Sequence, residues 1–353
     1  MSIFIRVNGC GNAWPVFLGT EHPFYNRQVT DDLGSASYSI IGCLGEKYSQ
    51  KVIDWEVVVD AGHNTVPFLL KNENRIPEAL FLTHGHLDHI LGADWIAQSL
   101  NFTSTNHEKL PLYTTALCWQ QVLQTIPHIR NAISFNELKP GRKEQVKQVP
   151  GLSVTAFPVY HGDGAPGSAM LLMEYEKGEN PSRVLFTGDL LFPLLRNEDY
   201  TILSKAEILY IDCSNRFSYP ASNHISFTVT DPEKGIVSHY LNDWKRKNPI
   251  DRLVANQLQD NSDEEYKRYL NRFLLQNSDY KNIPFSVMEF LEKTGIQWVH
   301  LVHYFGHHDK AFYRQDMLDP KTLKDWASQV LVATGRKNTR LAIPNAGHMA
   351  KLG

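Results

Sequence analysis

Several protein classes are argued against by what this chain has little of. It has four cysteines in 353 residues, Cys10, Cys43, Cys118 and Cys213, far apart and with no CxxC pair. That usage speaks against a disulfide scaffold or a cysteine-based zinc site and predicts a reduced, cytoplasmic protein. No apolar run reaches the roughly 18 residues that a membrane helix needs. The opening MSIFIRVNGCGNAWP lacks a basic segment followed by a long apolar stretch, so it reads as a strand entering a Gly-containing turn and not as a secretion signal. No excess of one charge is present either: the formal net charge is −3, too little for nucleic-acid binding through a global basic field. Internal repeats and low-complexity tracts are absent.

Apolar residues make up 42% of the chain, enough for a sizeable core, and there are 15 histidines. Strands are predicted at Ile3–Val7, Ser37–Cys43, Trp55–Asp60, Ala79–Thr83, Leu112–Thr115, Ser153–Pro158, Ala169–Tyr175, Arg183–Thr187, Ile208–Asp212, Trp298–His303 and, as the last, Arg340–Ile343. Helical patterns fall at Ile90–Gln98, Ala116–Ile126, Glu233–Lys245, Glu264–Leu275 and Ser286–Lys293. Strands dominate the first two-thirds with helices between and after them, which predicts a layered α/β architecture in one domain over residues 1–353. Residues 217–284, richer in charge and helix signals, are expected to form a helical insertion. Within them, DNSDEEYKRYLNR reads as a solvated helix face.

The strongest chemical signal is His84-Gly85-His86-Leu87-Asp88-His89, four ligand-type side chains within six residues, directly after the apolar strand ALFLT. Imidazole nitrogens and carboxylate oxygens suit zinc in a catalytic site. Two neighbouring ions with open positions need roughly six or seven protein ligands, so other strand ends must contribute. The sequence supplies His161 after LSVTAFPVY, Asp189 after RVLFTG, and His303 after WVHLV.

The order HGHLDH, VYHGDG, FTGDLL and LVHYFG, preceded by DAG at Asp60–Gly62, resembles the motif series of the metallo-β-lactamase superfamily. The resemblance implies a four-layer αββα sandwich with its site at the sheet edge. It implies that His84, His86 and His161 bind one metal, that Asp88, His89 and His303 bind the other, and that Asp189 bridges them, with Asp60 supporting the ligand loop. It also implies two divalent ions, zinc first and manganese as the alternative, and a hydroxide between them as the attacking group, which Asp88 would help to orient. His303 is preferred over its neighbours His300, His307 and His308 because LVHYF is similar to the family's strand-end LTHFS. Cysteine is absent from the first motif and no Glu replaces His86, which disfavours the single-zinc and diiron arrangements.

Two further stretches, Leu209–Ser214 (LYIDCS) and Asn223–Thr228 (NHISFT), resemble the branch containing ribonuclease Z and the class II cyclic nucleotide phosphodiesterases. There a strand ends in an acidic residue, and a His follows in a later turn. Asp212 and His224 fall at those positions, with Asp where the branch has Glu. Such a pair can give a proton to a departing alkoxide. The opening VNGCGNAWP is similar to that branch's first hairpin, and HLDHILG to the phosphodiesterases' HLDHxxG, a pattern that breaks at Asp94 and Trp95.

The interval between His161 and Asp189 leaves no room for the long arm of tRNA-processing members. A small nucleotide or other small phosphodiester is therefore the expected substrate, a tRNA precursor and a membrane are not expected partners, and a homodimer is compatible with this reading. A lactone or thioester hydrolase on the same metals, lacking the Asp212–His224 relay, is the alternative. A non-catalytic member of the fold is the third reading. His63 as a pocket residue, Trp14, Phe24 and Tyr25 as base-stacking groups, and Arg216 and Lys245 as phosphate contacts are weaker candidates, each with a structural or surface role as the plainer account. Asn345–Met349 resembles a structural turn near the family's C-terminus.

Overall fold

A computed structural model describes residues 1–13, 19, 34–176, 180–217, 223–231, 235–236, 250–251, 263–278, 282–303 and 318–353. Trp14, Phe24, Tyr25, Lys245, His307 and His308, and nearly all of the helix expected at Glu233–Lys245, lie outside these residues.

The strands are β1 (Ser2–Gly9), β2 (Ser37–Cys43), β3 (Ile53–Val59), β4 (Ala79–Phe81), β5 (Leu110–Thr114), β6 (Ile133–Glu137), β7 (Lys143–Gln145), β8 (Leu152–Tyr160), β9 (Ala169–Tyr175), β10 (Ser182–Phe186), β11 (Phe192–Pro193), β12 (Ile208–Asp212), β13 (Asn215–Phe217), β14 (Ser226–Thr228), β15 (Thr230–Asp231), β16 (Gly235–Ile236), β17 (Trp298–Val302), β18 (Arg340–Ala342) and β19 (Met349–Leu352). The helices are α1 (Thr65–Lys71), α2 (Leu87–Ile90), α3 (Ala93–Thr103), α4 (Ala116–Thr125), α5 (Asn197–Leu203), α6 (Glu264–Gln276), α7 (Val287–Thr294) and α8 (Pro320–Ala333).

Two sheets face each other. One has the order β19-β1-β2-β3-β4-β5-β6. The other has the order β11-β8-β9-β10-β12-β17-β18, with β7 beside β8. Their inner faces meet in one apolar core: Ile3, Ile5, Val57, Val59 and Phe81 from the first sheet against Val154, Leu171, Phe186 and Tyr210 from the second. The opposite faces are covered by helices. Val58, Leu80 and Leu112 pack under residues of α1, α3 and α4, and Leu185, Leu209 and Leu301 under residues of α5, α7 and α8. The result is a four-layer αββα sandwich.

Strands buried on both faces explain why runs such as Val57-Val58-Val59 are continuously apolar and do not alternate. β3 to β6 run parallel, as do β10, β12, β17 and β18. Their carboxyl ends therefore emerge at the same edge, where loops carry polar groups out of the core.

Three expectations need correction. The helix expected at Ile90–Gln98 is two helices, α2 and α3, broken at Leu91–Gly92, where the Gly92 N–H donates to the Ala61 carbonyl at 2.6 Å. The last strand is β19, not Arg340–Ile343. β19 pairs antiparallel with β1, Ile3 opposite Leu352, and the Asn345–Met349 turn feeds it, with Gly347 N–H donating to Val7 O at 2.8 Å. Met349-Ala350-Lys351-Leu352 is too short a run to signal a strand without its partner. The stretch DNSDEEYKRYLNR is not wholly solvated either. From Asp263, whose carboxylate accepts from Glu265 N–H at 2.9 Å, α6 buries Tyr266, Tyr269, Leu270 and Phe273 against Tyr160, Phe192 and Phe285. Among the described residues of 217–284, α6 is accompanied by the short strands β14, β15 and β16.

His300, weighed above as a neighbour of His303, sits on β17 inside the sandwich, fully buried, edge-on to Tyr210 with ring centroids 4.5 Å apart. Neither ring nitrogen has a hydrogen-bond partner among the described residues. Burial, helped by His348, drives its pKa down to about 3. The folded protein therefore keeps His300 neutral, while an unfolded chain protonates it below about pH 6.5. Its contribution is present above pH 6.5 and is lost as pH falls, at about 1.4 kcal/mol per unit, until about pH 3. His300→Phe should remove this slope, so that unfolding free energies measured at pH 6.5 and 5 shift in favour of the variant by roughly 2 kcal/mol. Equal slopes in the two proteins would contradict the assignment.

Candidate metal centre

At the carboxyl edge of the two sheets the strand ends deliver their polar residues to one place. β4 runs into Thr83 and His84; β8 ends before His161, β10 before Asp189, and β17 before His303. Asp88 and His89 lie on α2, which is pinned to the loop after β3: Ala61 N–H donates to His89 O at 2.7 Å. The approach is close enough to need Gly62, since a Cβ there would fall 1.4 Å from the Asp88 carbonyl oxygen.

The structure brings all seven residues together in two adjoining groups, His84, His86 and His161, and Asp88, His89, Asp189 and His303. Asp189 is the centre. Its Oδ2 lies 3.2 Å from His303 Nε2, 3.5 Å from His89 Nε2, 3.6 Å from His161 Nε2 and 3.8 Å from His84 Nε2. Asp88 Oδ2 is 3.4 Å from both His89 Nε2 and His303 Nε2. Ligand atoms at zinc–ligand distances of about 2.0–2.1 Å in a tetrahedron stand about 3.3 Å apart, so these spacings fit a divalent cation. The Nε2 atoms of His84 and His89 are buried and have no hydrogen-bond partner among the described residues. Buried polar atoms are rarely left so, and a cation would satisfy both.

The electrostatics agree. Burial holds His84 and His161 well below the ordinary imidazole pKa, leaving neutral ligands. Burial alone would raise Asp189, but the facing imidazoles of His303 and His89 hold it well below the usual carboxylate range. Asp88 behaves likewise, with His89 outweighing burial.

Three of the rings are also held from behind. His89 Nδ1 lies 2.9 Å from Asp60 Oδ2, His84 Nδ1 3.1 Å from Thr83 Oγ1, and His161 Nδ1 3.0 Å from the Asn223 carbonyl. Such partners fix which nitrogen is left to bind metal. Thr83 and Asn223 carry no motif signal of their own. Their only hint in the sequence is adjacency to His84 and His224.

Beside this cluster stands the Asp212–His224 pair. His224 Nδ1 is 2.7 Å from Asp212 Oδ2, so the shorter Asp reaches the ring. The His224 ring stacks on His303 at 5.0 Å and meets His161 edge-on at 4.8 Å. Burial disfavours its cation, but the Asp212 carboxylate overrides this and raises its pKa to about 9. Of the weaker candidates, His63 Nδ1 lies 3.2 Å from Ser35 Oγ, and Arg216 lies over the rings of Phe217 and Trp326.

Comparison with known proteins agrees with this architecture. Residues 56–200 match the family profile described as Metallo-beta-lactamase superfamily. The fold is that of the metallo-β-lactamases. Solved metallo-β-lactamase-fold structures similar to this one include YhfI from Bacillus subtilis, 13% identical with a TM-score of 0.56, covering 99% of this chain and 100% of that one. A diphosphatase of the PhnP family is 14% identical with a TM-score of 0.55, covering 99% and 97%. Yeast PDE1 is 13% identical with a TM-score of 0.54, covering 99% of each chain. The uncharacterized protein sll0514 of Synechocystis is 27% identical over 135 residues, a match that spans 38% of this chain and 22% of that protein.

The link between the two sheets at the candidate metal site gives a test. Gly188, just before Asp189, has φ +57°, and a Cβ there would lie 2.6 Å from the Thr83 side chain. Gly188→Ala is expected to cost about 1–3 kcal/mol, from left-handed backbone strain and crowding. Thermal denaturation should show the loss. An unchanged midpoint would mean that the loop relaxes freely.

Proposed function

We propose that this protein is a dinuclear, zinc-dependent phosphodiesterase acting on a small nucleotide or similar phosphodiester. The observation that carries this reading is the Asp212–His224 pair, 2.7 Å apart and set against two of the candidate ligand rings. The PhnP-family diphosphatase among the structural neighbours supports chemistry at phosphorus.

Bound divalent cations would polarise a phosphoryl oxygen and lower the pKa of water toward about 7. His84, His86 and His161 would hold one ion, Asp88, His89 and His303 the other, with Asp189 shared. Asp88, 5% exposed, also offers a carboxylate oxygen to orient the attacking water. The departing alkoxide then needs a proton. His224, with 18% of its side chain exposed, would give it, and Asp212 would hold the ring and balance its charge. The histidine-rich lining, with no broad basic field, suits a compact anionic substrate over a folded RNA.

Purified protein should carry two zinc or manganese ions per chain by elemental analysis. A content well below one, unmoved by added metal, contradicts the reading. Asp88→Ala should abolish turnover with the fold intact by circular dichroism, and an active variant would show that another group orients the water. His224→Ala should keep both metals and slow a phosphodiester with a poor leaving group by about 10²–10⁴-fold. Hydrolysis of bis-p-nitrophenyl phosphate, whose phenolate leaves without protonation, should change far less. If both esters slow equally, or neither does, His224 is not the proton donor, and a lactone or thioester substrate becomes the better reading.

A further inference from the structure

We propose that Ser214 is a positioning residue that sets the tautomer of His303 and ties this ligand to the Asp212–His224 pair. The inference rests on the metal-centre reading above.

The Ser214 hydroxyl lies at a three-way junction. Its Oγ is 3.0 Å from Asp212 Oδ1, 2.8 Å from the His303 carbonyl oxygen and 2.9 Å from His303 Nδ1. All three residues are buried, with exposures of 8% for Ser214, 1% for Asp212 and 3% for His303. A hydroxyl has one proton to donate and lone pairs to accept. Two of its neighbours, a carboxylate and a carbonyl oxygen, can only accept, so they take the serine proton between them. The third contact is satisfied only if His303 Nδ1 carries hydrogen and donates to Oγ. Asp212 Oδ1, 3.7 Å from the same nitrogen, favours the same choice. His303 Nε2 is then left with its lone pair turned toward Asp88 Oδ2 at 3.4 Å and Asp189 Oδ2 at 3.2 Å, which is the ligand form.

The backbone adds a second reason. His303 has φ +57°, an uncommon conformation for a side-chain-bearing residue. It is clamped at both ends: its N–H donates to Cys10 O at 2.8 Å, and its carbonyl accepts from Ser214.

A second hydroxyl–carboxylate pair repeats the device. Thr83 Oγ1 donates to Asp60 Oδ2 at 2.8 Å and stands 3.1 Å from His84 Nδ1, while the same Asp60 oxygen lies 2.9 Å from His89 Nδ1. In each pair one carboxylate reaches one histidine directly and a second through a hydroxyl. Asp60 thereby serves two candidate ligands. Asp212 serves one ligand, His303, and one imidazole outside the ligand set, His224.

Removing a partner behind a ligating histidine typically costs about 10–100-fold in metal affinity. Competition titration of the full chain with zinc against a chromophoric chelator should therefore show two sites in the wild type. Ser214→Ala should weaken one of them by about 10–100-fold and leave the other unchanged. Ser214→Thr, which restores the hydroxyl, should recover most of the loss. Long-range ¹H–¹⁵N correlation spectra of the metal-free protein should place the His303 proton on Nδ1 in the wild type and show a mixture in Ser214→Ala. Wild-type affinity at both sites in Ser214→Ala, equal weakening of both, or an Nε2–H tautomer in the wild type overturns the proposal. A wild type that binds no zinc instead sinks the metal-centre reading, and this proposal with it.

Discussion

The structure is organised around a carboxylate that has almost no water. Asp189 is 3% exposed and faces four imidazoles through one oxygen. Burying a charge in this way is costly unless opposite charge and hydrogen bonds compensate. The histidines cannot all supply that compensation, because burial keeps His84 and His161 neutral and the buried Nε2 atoms of His84 and His89 have no hydrogen-bond partner among the described residues. Divalent cations would meet both demands at once, and the seven side chains would then act as one unit.

Such an arrangement demands rigid delivery. The seven groups come from four strand ends and one short helix. Parallel strands bring their carboxyl ends to a common edge, and core residues such as Val59, Phe81 and Phe186 fix the level at which each strand stops. Asp60 shows how fine the control is. It leaves β3 with φ +55°, accepts from Thr83 N–H and Thr83 Oγ1, and still reaches the His89 ring.

Much of this was legible in the residues themselves. Continuous apolar runs marked the buried strands, and the polar residue at the end of each run marked the site, because both follow from local burial. The Asp212–His224 contact was legible only through resemblance, since nothing local says that residues 12 apart will meet. What was not legible depended on partners distant in sequence. β19 is a strand only because β1 lies beside it, and α6 has a buried face only because Tyr160 and Phe192 receive it. The support given by Thr83, Asn223 and Ser214 was hidden for the same reason: a lone hydroxyl or carbonyl has no pattern until a ring is placed against it.

The ends of the two sheets bear on how copies of this chain can meet. The first sheet finishes on four-residue β19, with Lys351 exposed, and on β6, whose Ser134 and Glu137 are exposed. The second finishes on β11 and β7, both beside β8, and on β18, none longer than three residues. Short margins give a passing strand little to zip onto, which is how natural sheets resist edge-to-edge growth. Among the described residues, then, the sheet margins offer little for a shared backbone ladder between copies of this chain.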